Sequence, residues 1–280
     1  MLGKIRNGGR FISDSWTSIK EQAIKYHADH WIRSDNRQLA LSQYCAQQRK
    51  AYSRVKNHFI EELIGDLRGK KFLDYGCGAG FFAVHAARSG ASRVVAVDAE
   101  PAVLATAAYF LDREGVAEGC ELILSEQFPA FGPETSFDVI LFKDVIEHVA
   151  DDGELLVRAR ERLVPGGVLV ISTQNSMSLN YLTEGLYHRY LRGDKGWFGW
   201  DETHLRFYTF FGLTKKLRHS GWRPRAWRSN YLIPHKFPGY SSSGGEIRRF
   251  EMLSRVDLLL GRHFPWNRLG WNIIVQAEAL

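Results

Sequence analysis

The chain has 280 residues, of which 45% are hydrophobic and 24% are charged. This composition is that of a globular protein with a sizeable core, and it excludes a disordered or collagen-like chain. No stretch reaches 18 uninterrupted apolar residues and no apolar leader is seen, so we expect neither a transmembrane helix nor a secretory signal. Three widely spaced cysteines (Cys45, Cys77 and Cys120) favour a reducing, cytoplasmic location.

Positive charge is concentrated in the last hundred residues. Residues 181–280 hold 16 Lys and Arg against 8 Asp and Glu, a net of +8, whereas the whole chain carries +6. Residues 215–228 contain six basic side chains and no acidic one. Two interpretations stay open: a solvated helix and strand, or a face that meets an anionic partner such as phosphate, nucleic acid or a membrane.

Helical periodicity predicts helices within residues 17–66. From residue 71 onward, short apolar runs alternate with segments of helical period, which predicts right-handed β-α-β crossovers in a parallel sheet. The predicted strands are 71–74, 93–98, 121–124, 137–142 and 168–172, and the predicted helices between them are 81–89, 101–111 and 152–163.

The alternation stops after residue 175. An irregular aromatic stretch runs from Tyr181 to Phe211, and a helix over 213–219 and a strand over 222–232 are predicted to follow it. The remaining segments are a turn-rich loop at 237–245, an amphipathic helix at 246–260 and a last strand at 271–277.

The strongest motif is the glycine-rich turn after the first strand, Asp74-Tyr75-Gly76-Cys77-Gly78-Ala79-Gly80. Glycines at a strand-to-helix turn let the backbone approach a ligand closely. A dinucleotide fingerprint needs a glycine where Phe81 stands, and the carboxylate of Asp74 would repel a pyrophosphate. That carboxylate suits an α-amino group, while Asp98, at the end of the second strand, can accept hydrogen bonds from two ribose hydroxyls. S-adenosylmethionine is a ligand that carries both an α-amino group and a ribose.

The pattern D-x-G-C-G-x-G followed by V-x-x-V-D resembles the class I S-adenosylmethionine-dependent methyltransferases. The run Phe137–Phe142 and the turn Val164–Gly167 are similar to that family's fourth strand and the turn before its fifth. The resemblance implies an α/β fold with a doubly wound, Rossmann-like, mostly parallel sheet of seven strands, the last antiparallel. It also implies a methyltransferase domain at 67–280, a helical N-terminal extension at 1–66, and acceptor-site insertions around 176–215 and 237–265.

The same resemblance implies the residues that bind the methyl donor. Asp74 and the glycine turn would line the methionine end, Asp98 the ribose, and Lys143 the sulfonium. Arg49 lies in an R-x-x-Y stretch similar to one in the ubiquinone-pathway O-methyltransferases, whose arginine reaches the cofactor carboxylate, and Arg54 is an alternative. The full implied set is Arg49, Asp74, Gly76, Cys77, Gly78, Gly80, Asp98, Ala99, Ser125, Glu126 and Lys143.

The segment Lys143–Val149 bears on the acceptor. It lacks the D/N-P-P-[YFW] motif of nucleic-acid amino methyltransferases. It resembles instead the E-x-x-E-H of the ubiquinone-pathway O-methyltransferases, which bind a divalent metal. Asp144, Glu147 and His148 lie at i, i+3 and i+4, so a helical turn would aim them at one point, where Mg²⁺ or another divalent metal would activate a hydroxyl. The alternative is a Glu-His pair without metal.

Residues 201–208 are similar to the H-x-R-x-[FY] loop of many small-molecule methyltransferases. Seven aromatic side chains fall between Trp197 and Phe211, which predicts a lid or pocket wall. His204 is a candidate general base because imidazole titrates near neutrality, and His148 competes for that role. A histidine that only holds the loop in place is the alternative.

The acceptor does not follow from the resemblance, because residues 177–200 and the tail from residue 241 depart from the pattern of the ubiquinone-pathway enzymes. The aromatic, basic surroundings suit a greasy or ring-shaped acceptor, so we expect methyl transfer to a small molecule, at a hydroxyl oxygen of a quinone- or phenol-like, lipid-linked or sugar-linked compound. No nucleic-acid partner is expected. Helix 246–260 is expected to cap the pocket, with transient contact to a membrane surface as an alternative. The enzymatic alternative is a tRNA or protein methyltransferase that uses residues 215–228. The non-enzymatic alternative is a binding protein that keeps the fold and transfers nothing.

Overall fold

A computed structural model of the protein describes residues 30–132, 134–199, 201, 203–233 and 248–280. The strands within these ranges are β1 (Lys71–Tyr75), β2 (Arg93–Asp98), β3 (Cys120–Leu124), β4 (Phe137–Lys143), β5 (Leu163–Gln174), β6 (Trp222–Asn230) and β7 (Asn272–Ala279). The α-helices are α1 (Arg37–Arg49), α2 (Ala51–Ile64), α3 (Phe81–Arg88), α4 (Pro101–Arg113), α5 (Asp152–Glu161), α6 (Leu179–Leu186), α7 (Phe210–His219) and α8 (Arg248–Leu260).

The seven strands form one sheet in the order β3-β2-β1-β4-β5-β7-β6. β1 pairs in parallel with both β2 and β4, and β4 pairs in parallel with β5. β7 is antiparallel to both of its neighbours, β5 and β6. This topology confirms the predicted fold class, and it aligns the carboxyl ends of β1, β2, β3, β4 and β5 along one edge of the sheet, hereafter the carboxyl edge.

Buried apolar side chains cover both faces of the sheet, which is why its central strands read as continuous hydrophobic runs. Leu73, Val95 and Ile140 point into one cluster, whereas their sequence neighbours Phe72 and Val94 point into the other. Each such side chain stabilises the fold by about 1.5–3 kcal/mol when fully buried. Helices therefore cover the sheet on both sides.

The helix α2 belongs to one of these two clusters. Phe59 and Ile60 are fully buried, and they share the cluster with Phe72 and Val94 of the sheet. The segment before residue 67 thus contributes side chains to the core of the α/β domain. The division of the chain at residue 66 stays a prediction, and residues 17–29 of the predicted helical segment lie outside the described ranges.

One helix was missed at the sequence level. The stretch interpreted as irregular contains α6 and, directly after it, a π-helix over Tyr187–Leu191. In α6 the polar residues Asn180 and Glu184 are buried while the leucines face solvent, the reverse of the usual amphipathic pattern. The predicted loop 237–245 and the first two residues of helix 246–260 lie outside the described ranges. Every helix within the described ranges falls short of the length or apolar content that a bilayer span needs.

Candidate functional site

The glycine turn at the end of β1 has a backbone that few side chains tolerate. Gly76, Gly78 and Gly80 have φ values of 75°, 56° and 85°, all in the left-handed region. A Cβ atom on Gly76 would lie 2.3 Å from Cγ2 of Val145, so this position also excludes a side chain by contact. Gly76 is therefore required both by its backbone angle and by the lack of space for a side chain.

Hydrogen bonds tie this turn to the end of β2. The amides of Gly76 and Cys77 donate to the carbonyl of Val97 at 2.8 and 2.9 Å. The Gly78 amide donates to Oδ2 of Asp98 at 2.9 Å, and the Glu100 amide donates to Oδ1 at 3.1 Å. The carboxylate of Asp98 is thus fixed between the glycine turn and the start of α4.

Two carboxylates are buried side by side along the carboxyl edge. Asp74 and Asp98 are 2% and 9% exposed, and Asp74 is in register with Ala96, two residues before Asp98. Burying a carboxylate is costly unless a cation or hydrogen-bond donors accompany it. A ligand with an ammonium group and hydroxyl groups supplies both, so these residues fit S-adenosylmethionine.

The residues predicted beside the adenine lie at the same edge. The Ser125 amide donates to the carbonyl of Asp98 at 3.0 Å, and its hydroxyl donates to the carbonyl of Gln127 at 2.7 Å. Ala99 and Glu126 are exposed to solvent next to these groups along the chain. The structure therefore brings the predicted ribose and adenine residues to one edge, and their binding roles stay a prediction.

The N-terminal segment covers this edge, a feature that sequence reasoning did not locate. Trp31, Ile32 and Tyr44 pack against Ala79 of the glycine turn and Val103 of α4. A Cβ atom on Gly78 would lie 3.7 Å from the hydroxyl of Tyr44. An additional link joins Arg33 to Glu100, with 2.5 Å between their nitrogen and oxygen atoms.

The end of β4 is also held from the N-terminal helices. Nζ of Lys143 donates to Oε1 of Gln48 at 3.3 Å and lies 5.3 Å from the ring centroid of Phe82. Tyr44 and Gln48 are four residues apart on α1 and therefore lie on the same face of that helix. This spacing is the sequence signal by which the face could be identified. The predicted Arg49 is exposed at the last residue of α1, so the contacts to this edge come from its neighbour Gln48.

Asp144 does not join Glu147 and His148 as the sequence predicted. It has a left-handed backbone (φ 54°), and residues 144–148 form no helix, so the i, i+3, i+4 argument fails here. Its carboxylate accepts hydrogen bonds from Nζ of Lys56 and, at 3.0 Å, from the Ser172 hydroxyl. Burial alone would raise the pKa of Asp144, but the Lys56 ammonium outweighs it and lowers the pKa to about 2.

His204 takes the place that was predicted for Asp144. Glu147, His148 and His204 each offer one atom that could ligate a metal ion, and these three atoms all lie within 4.8 Å of one another. The two imidazole rings meet edge to face with their centroids 4.6 Å apart. The Leu205 amide donates to the Glu147 carbonyl at 3.0 Å, which fixes the loop of His204 beside the turn of Glu147.

Both histidines are held by the loop that begins at Asp201. Nδ1 of His148 lies 3.2 Å from the carbonyl of Thr203, and Nε2 of His204 lies 3.4 Å from Oδ2 of Asp201. Burial raises the pKa of Asp201, but hydrogen bonds from the Thr203 hydroxyl and amide outweigh it and lower the pKa. The carboxylate of Asp201 is therefore ionised next to the His204 ring.

The aromatic side chains predicted to form a lid are divided among several environments. Tyr208 and Phe210 belong to the main core, Phe211 is exposed, and Trp200 lies outside the described residues. Tyr181, Trp197 and Trp271 are each no more than 9% exposed and form a small cluster with Phe207 at its side. The rings of Phe207 and His204 have centroids 5.1 Å apart. This cluster thus supports the loop that carries His204.

Two arginines of the basic segment, Arg223 and Arg225, lie far from this site, whereas Lys216 bonds to Asp152 and Arg228 bonds to Glu62. Arg223 of β6 is in register with Glu278, which pairs with Val168 near the start of β5, whereas Asn230 is level with Gln174 at the carboxyl edge. Arg223 and Asn230 are seven residues apart on this extended strand, which corresponds to about 23 Å. Arg223 and Arg225 both contact Glu278. They belong to the opposite edge of the sheet.

Comparison with known proteins agrees with this geometry. The sequence matches the methyltransferase domain family over residues 44–226, more than half of its length. The chain belongs to this family. This assignment confirms the predicted class I S-adenosylmethionine-dependent methyltransferase, and with it the predicted cofactor.

The curated relatives match this methyltransferase over part of their length. A ubiquinone biosynthesis O-methyltransferase of Caulobacter sp. (strain K31) is 40% identical over 107 residues, covering 38% of this chain and 42% of that protein. The protein of the same name from Roseobacter denitrificans is 34% identical over 159 residues, covering 56% and 61%. The chain thus spans roughly two to three fifths of these relatives.

Solved structures show the same fold at low identity. A methyltransferase of Mesorhizobium loti superposes with a TM-score of 0.54 at 20% identity, covering 80% of this chain and 97% of that one. A putative methyltransferase of Haloferax volcanii, solved with its Trm112 activator, gives 0.58 at 14% identity, covering 86% and 94%. At such identities only the fold carries over to this methyltransferase.

Proposed function

We propose that this methyltransferase transfers a methyl group to a hydroxyl oxygen of a small molecule with a quinone- or phenol-like ring, or with a lipid or sugar attached. The observation that carries the proposal is the group formed by Glu147, His148 and His204 just beyond β4. A buried carboxylate beside two imidazoles is equipped to remove a hydroxyl proton. The names of the curated relatives support an oxygen acceptor.

The carboxyl edge would bind the methyl donor. S-adenosylmethionine, when bound, supplies a methyl group on a positively charged sulfur. Asp74 would accept hydrogen bonds from its ammonium group and Asp98 from its ribose, while the glycine turn would let the ligand approach the backbone. Lys143, held by Gln48, would border the methyl-transfer position. Alignment of acceptor and methyl group would supply much of the rate.

We assign the general base to His148. Its Nδ1 faces the Thr203 carbonyl at 3.2 Å and so carries the proton, which leaves the Nε2 lone pair for an acceptor hydroxyl. His148 is half-buried, whereas the His204 side chain is only 2% exposed and stays next to Asp201. His204 would therefore orient the acceptor or His148, and Glu147 would stabilise the charged imidazole.

The same three side chains would hold a divalent metal if one is bound. Two imidazoles and one carboxylate suit Zn²⁺, Mn²⁺ or Fe²⁺ better than the all-oxygen set that Mg²⁺ prefers. Such an ion would lower the pKa of the acceptor hydroxyl. Asp144 would take no part, because Lys56 and Ser172 already bind its carboxylate.

The alternative acceptors, tRNA and protein, depended on the basic residues 215–228. Arg223 and Arg225 lie about 23 and 17 Å from the carboxyl edge along β6, so an acceptor bound by them would be remote from the methyl group. Arg228 lies nearer to that edge, but it pairs with Glu62, and Lys216 pairs with Asp152. We therefore favour a small acceptor. We also propose a cytoplasmic location, in keeping with three cysteines that form no disulfide.

The experiment that tests the proposal uses labelled S-adenosylmethionine, purified enzyme and a whole-cell extract, followed by phase separation. Label in the organic or small-molecule fraction, as an alkali-stable ether, is the expected result. Label in RNA or protein would reject the small-molecule acceptor. The His219→Asn variant, which removes an exposed histidine of α7, serves as the active control.

Metal dependence is measured separately. We would determine the metal content of the dialysed wild type and of Glu147→Gln by elemental mass spectrometry, and turnover with and without chelator. Metal that is bound to the wild type but not to Glu147→Gln supports the metal-assisted route. Turnover that ignores the chelator, in a protein free of metal, assigns the three residues to acid–base chemistry.

A further inference from the structure

An apolar stripe runs along α6 and the π-helix that follows it. Leu179, Leu182, Leu186, Tyr190 and Leu191 are between 51% and 79% exposed. The first four are spaced three or four residues apart, which places them on one side of the helical segment, and Leu191 follows Tyr190 in the π-helix. The opposite side of α6 is buried and mixed. Asn180 donates to the carbonyl of Tyr231 at 2.9 Å, Glu184 faces His188 at 3.5 Å, and Tyr181 packs in the cluster with Trp197 and Trp271.

This orientation is unusual because the apolar face of a helix normally packs inward. The hydrogen bond from Asn180 to Tyr231 and the packing of Tyr181 against Trp271 hold α6 with its leucines outward, so the exposure is built into the packing. Contiguous exposed apolar patches of this kind mark sites of contact with a partner or a membrane.

The charges beside the stripe identify the partner. Arg189, Arg192 and Lys195 are exposed on the same segment, against one exposed acid, Asp194. Apolar side chains flanked by cations suit the boundary between acyl chains and anionic headgroups. A second copy of this chain fits less well, because a two-fold interface would bring the same cations of both copies together.

We propose that the α6 stripe docks this protein onto the surface of an anionic lipid bilayer. The stripe begins five residues after the last residue of β5, at the carboxyl edge where the Glu147 group also lies. Docking here would bring that edge to the membrane, where an apolar acceptor would reside. For helix 246–260, membrane contact was only the alternative to capping the pocket, and Leu258 of α8 packs partly buried against the domain core.

The test is co-sedimentation of the full chain with vesicles of phosphatidylglycerol and phosphatidylcholine in equal parts, with no methyl donor or acceptor present. Omitting both makes the result independent of the proposed activity. We expect the wild type to bind these vesicles, Leu182→Glu and Leu186→Glu each to weaken binding about tenfold, and Arg192→Glu to weaken it about fivefold. Phe211→Glu, which changes a 66% exposed phenylalanine on α7, should bind like the wild type.

The remaining outcomes each decide against the proposal. Failure of the wild type to bind the anionic vesicles would overturn it. Equal binding to pure phosphatidylcholine, or equal weakening by Phe211→Glu, would show that the stripe and its cations are not the contact. A wild-type dimer in light scattering that Leu182→Glu converts to monomers, without vesicle binding, would assign the stripe to a second copy. Circular dichroism of each variant verifies that it is folded.

Discussion

The donor half and the acceptor half of the proposed site are built in different ways. The donor half, along β1, β2 and β3, consists largely of backbone: a left-handed glycine turn whose amides bond to Val97 and Asp98. The acceptor half consists of side chains from distant segments, with Glu147 and His148 after β4 and His204 on a loop that follows α6 and the π-helix. A backbone cradle suits one ligand that a whole family shares, whereas a side-chain group can differ between its members.

A buried ion pair lies between the halves. Lys56 of α2 is 4% exposed and bonds to Asp144, directly after the end of β4. Burial alone would lower the pKa of Lys56, but Asp144 and the Tyr52 hydroxyl outweigh it and raise the pKa above its usual range. Because Asp144 is committed to Lys56, the acceptor half has to recruit its third polar group from elsewhere, and His204 fills that place.

The largest effect is expected from the acceptor half. His148→Asn should lower kcat by about 10²–10⁴-fold, the usual contribution of a general base, while the Kd for S-adenosylmethionine stays unchanged. Single-turnover kinetics and calorimetric titration measure the two quantities. The His219→Asn variant should match the wild type in both. A higher Kd for S-adenosylmethionine in His148→Asn would mean that the two halves do not act independently.

In the donor half we expect a substitution to weaken the binding of S-adenosylmethionine. Asp98→Ala should raise the Kd for S-adenosylmethionine by about 10- to 100-fold, because hydrogen bonds to a charged acceptor contribute about 1.5–3 kcal/mol. Asp138→Ala is the matched control, since this carboxylate also accepts a backbone amide, that of Lys71 at 2.8 Å, but at the other edge of the sheet. An unchanged titration in Asp98→Ala would remove the ribose assignment.

The glycine turn allows crowding to be separated from backbone strain. Gly76 and Gly115 have similar φ values, 75° and 70°, but only at Gly76 would a Cβ meet Val145. Gly115→Ala should cost about 1–2 kcal/mol from the left-handed backbone, and Gly76→Ala about 2–5 kcal/mol because overpacking is added. Urea unfolding measures both. Equal losses would show that Val145 moves aside easily.

The ion pair between the halves predicts a pH dependence. Because the folded pKa of Asp144 is lowered to about 2, its stabilising charge is fully present above about pH 4 and is lost as the pH falls toward 2. Asp144→Asn should therefore be less stable than the wild type at pH 7 by roughly 3–5 kcal/mol, because the buried ammonium of Lys56 loses its partner. Urea unfolding across pH 3–7 should show this difference narrowing below about pH 4. A constant difference would mean that the loss is steric.

The smallest effect is expected from the far edge of the sheet. The double variant Arg223→Glu/Arg225→Glu should leave turnover within about twofold of the wild type, because both side chains are exposed and remote from the carboxyl edge. Steady-state assays over a range of salt concentrations provide the measurement. A large loss at low salt that shrinks as salt is added would revive the nucleic-acid acceptor.

The local pattern of the sequence was sufficient for the donor half. Strand β2 was predicted at its observed bounds, Arg93–Asp98, because a run of buried β-branched residues between polar ends has few other solutions. The position of the glycine turn was equally readable, since its glycines stand where β1 ends and α3 begins, and its left-handed backbone depends on those glycines. Asp74 and Asp98 followed from their positions at two strand ends.

The acceptor half depended on contacts between residues far apart in the chain. His148 meets the carbonyl of Thr203 across 55 residues, and Lys56 meets Asp144 across 88. Periodicity predicted Asp144, Glu147 and His148 together because it assumed a helix where the chain turns sharply. The sequence by itself thus determined the strands, the glycine turn and the donor edge. Only the tertiary structure decided which side chains meet beyond β4 and that α6 turns its leucines outward, because packing, and not local propensity, selects partners across the fold.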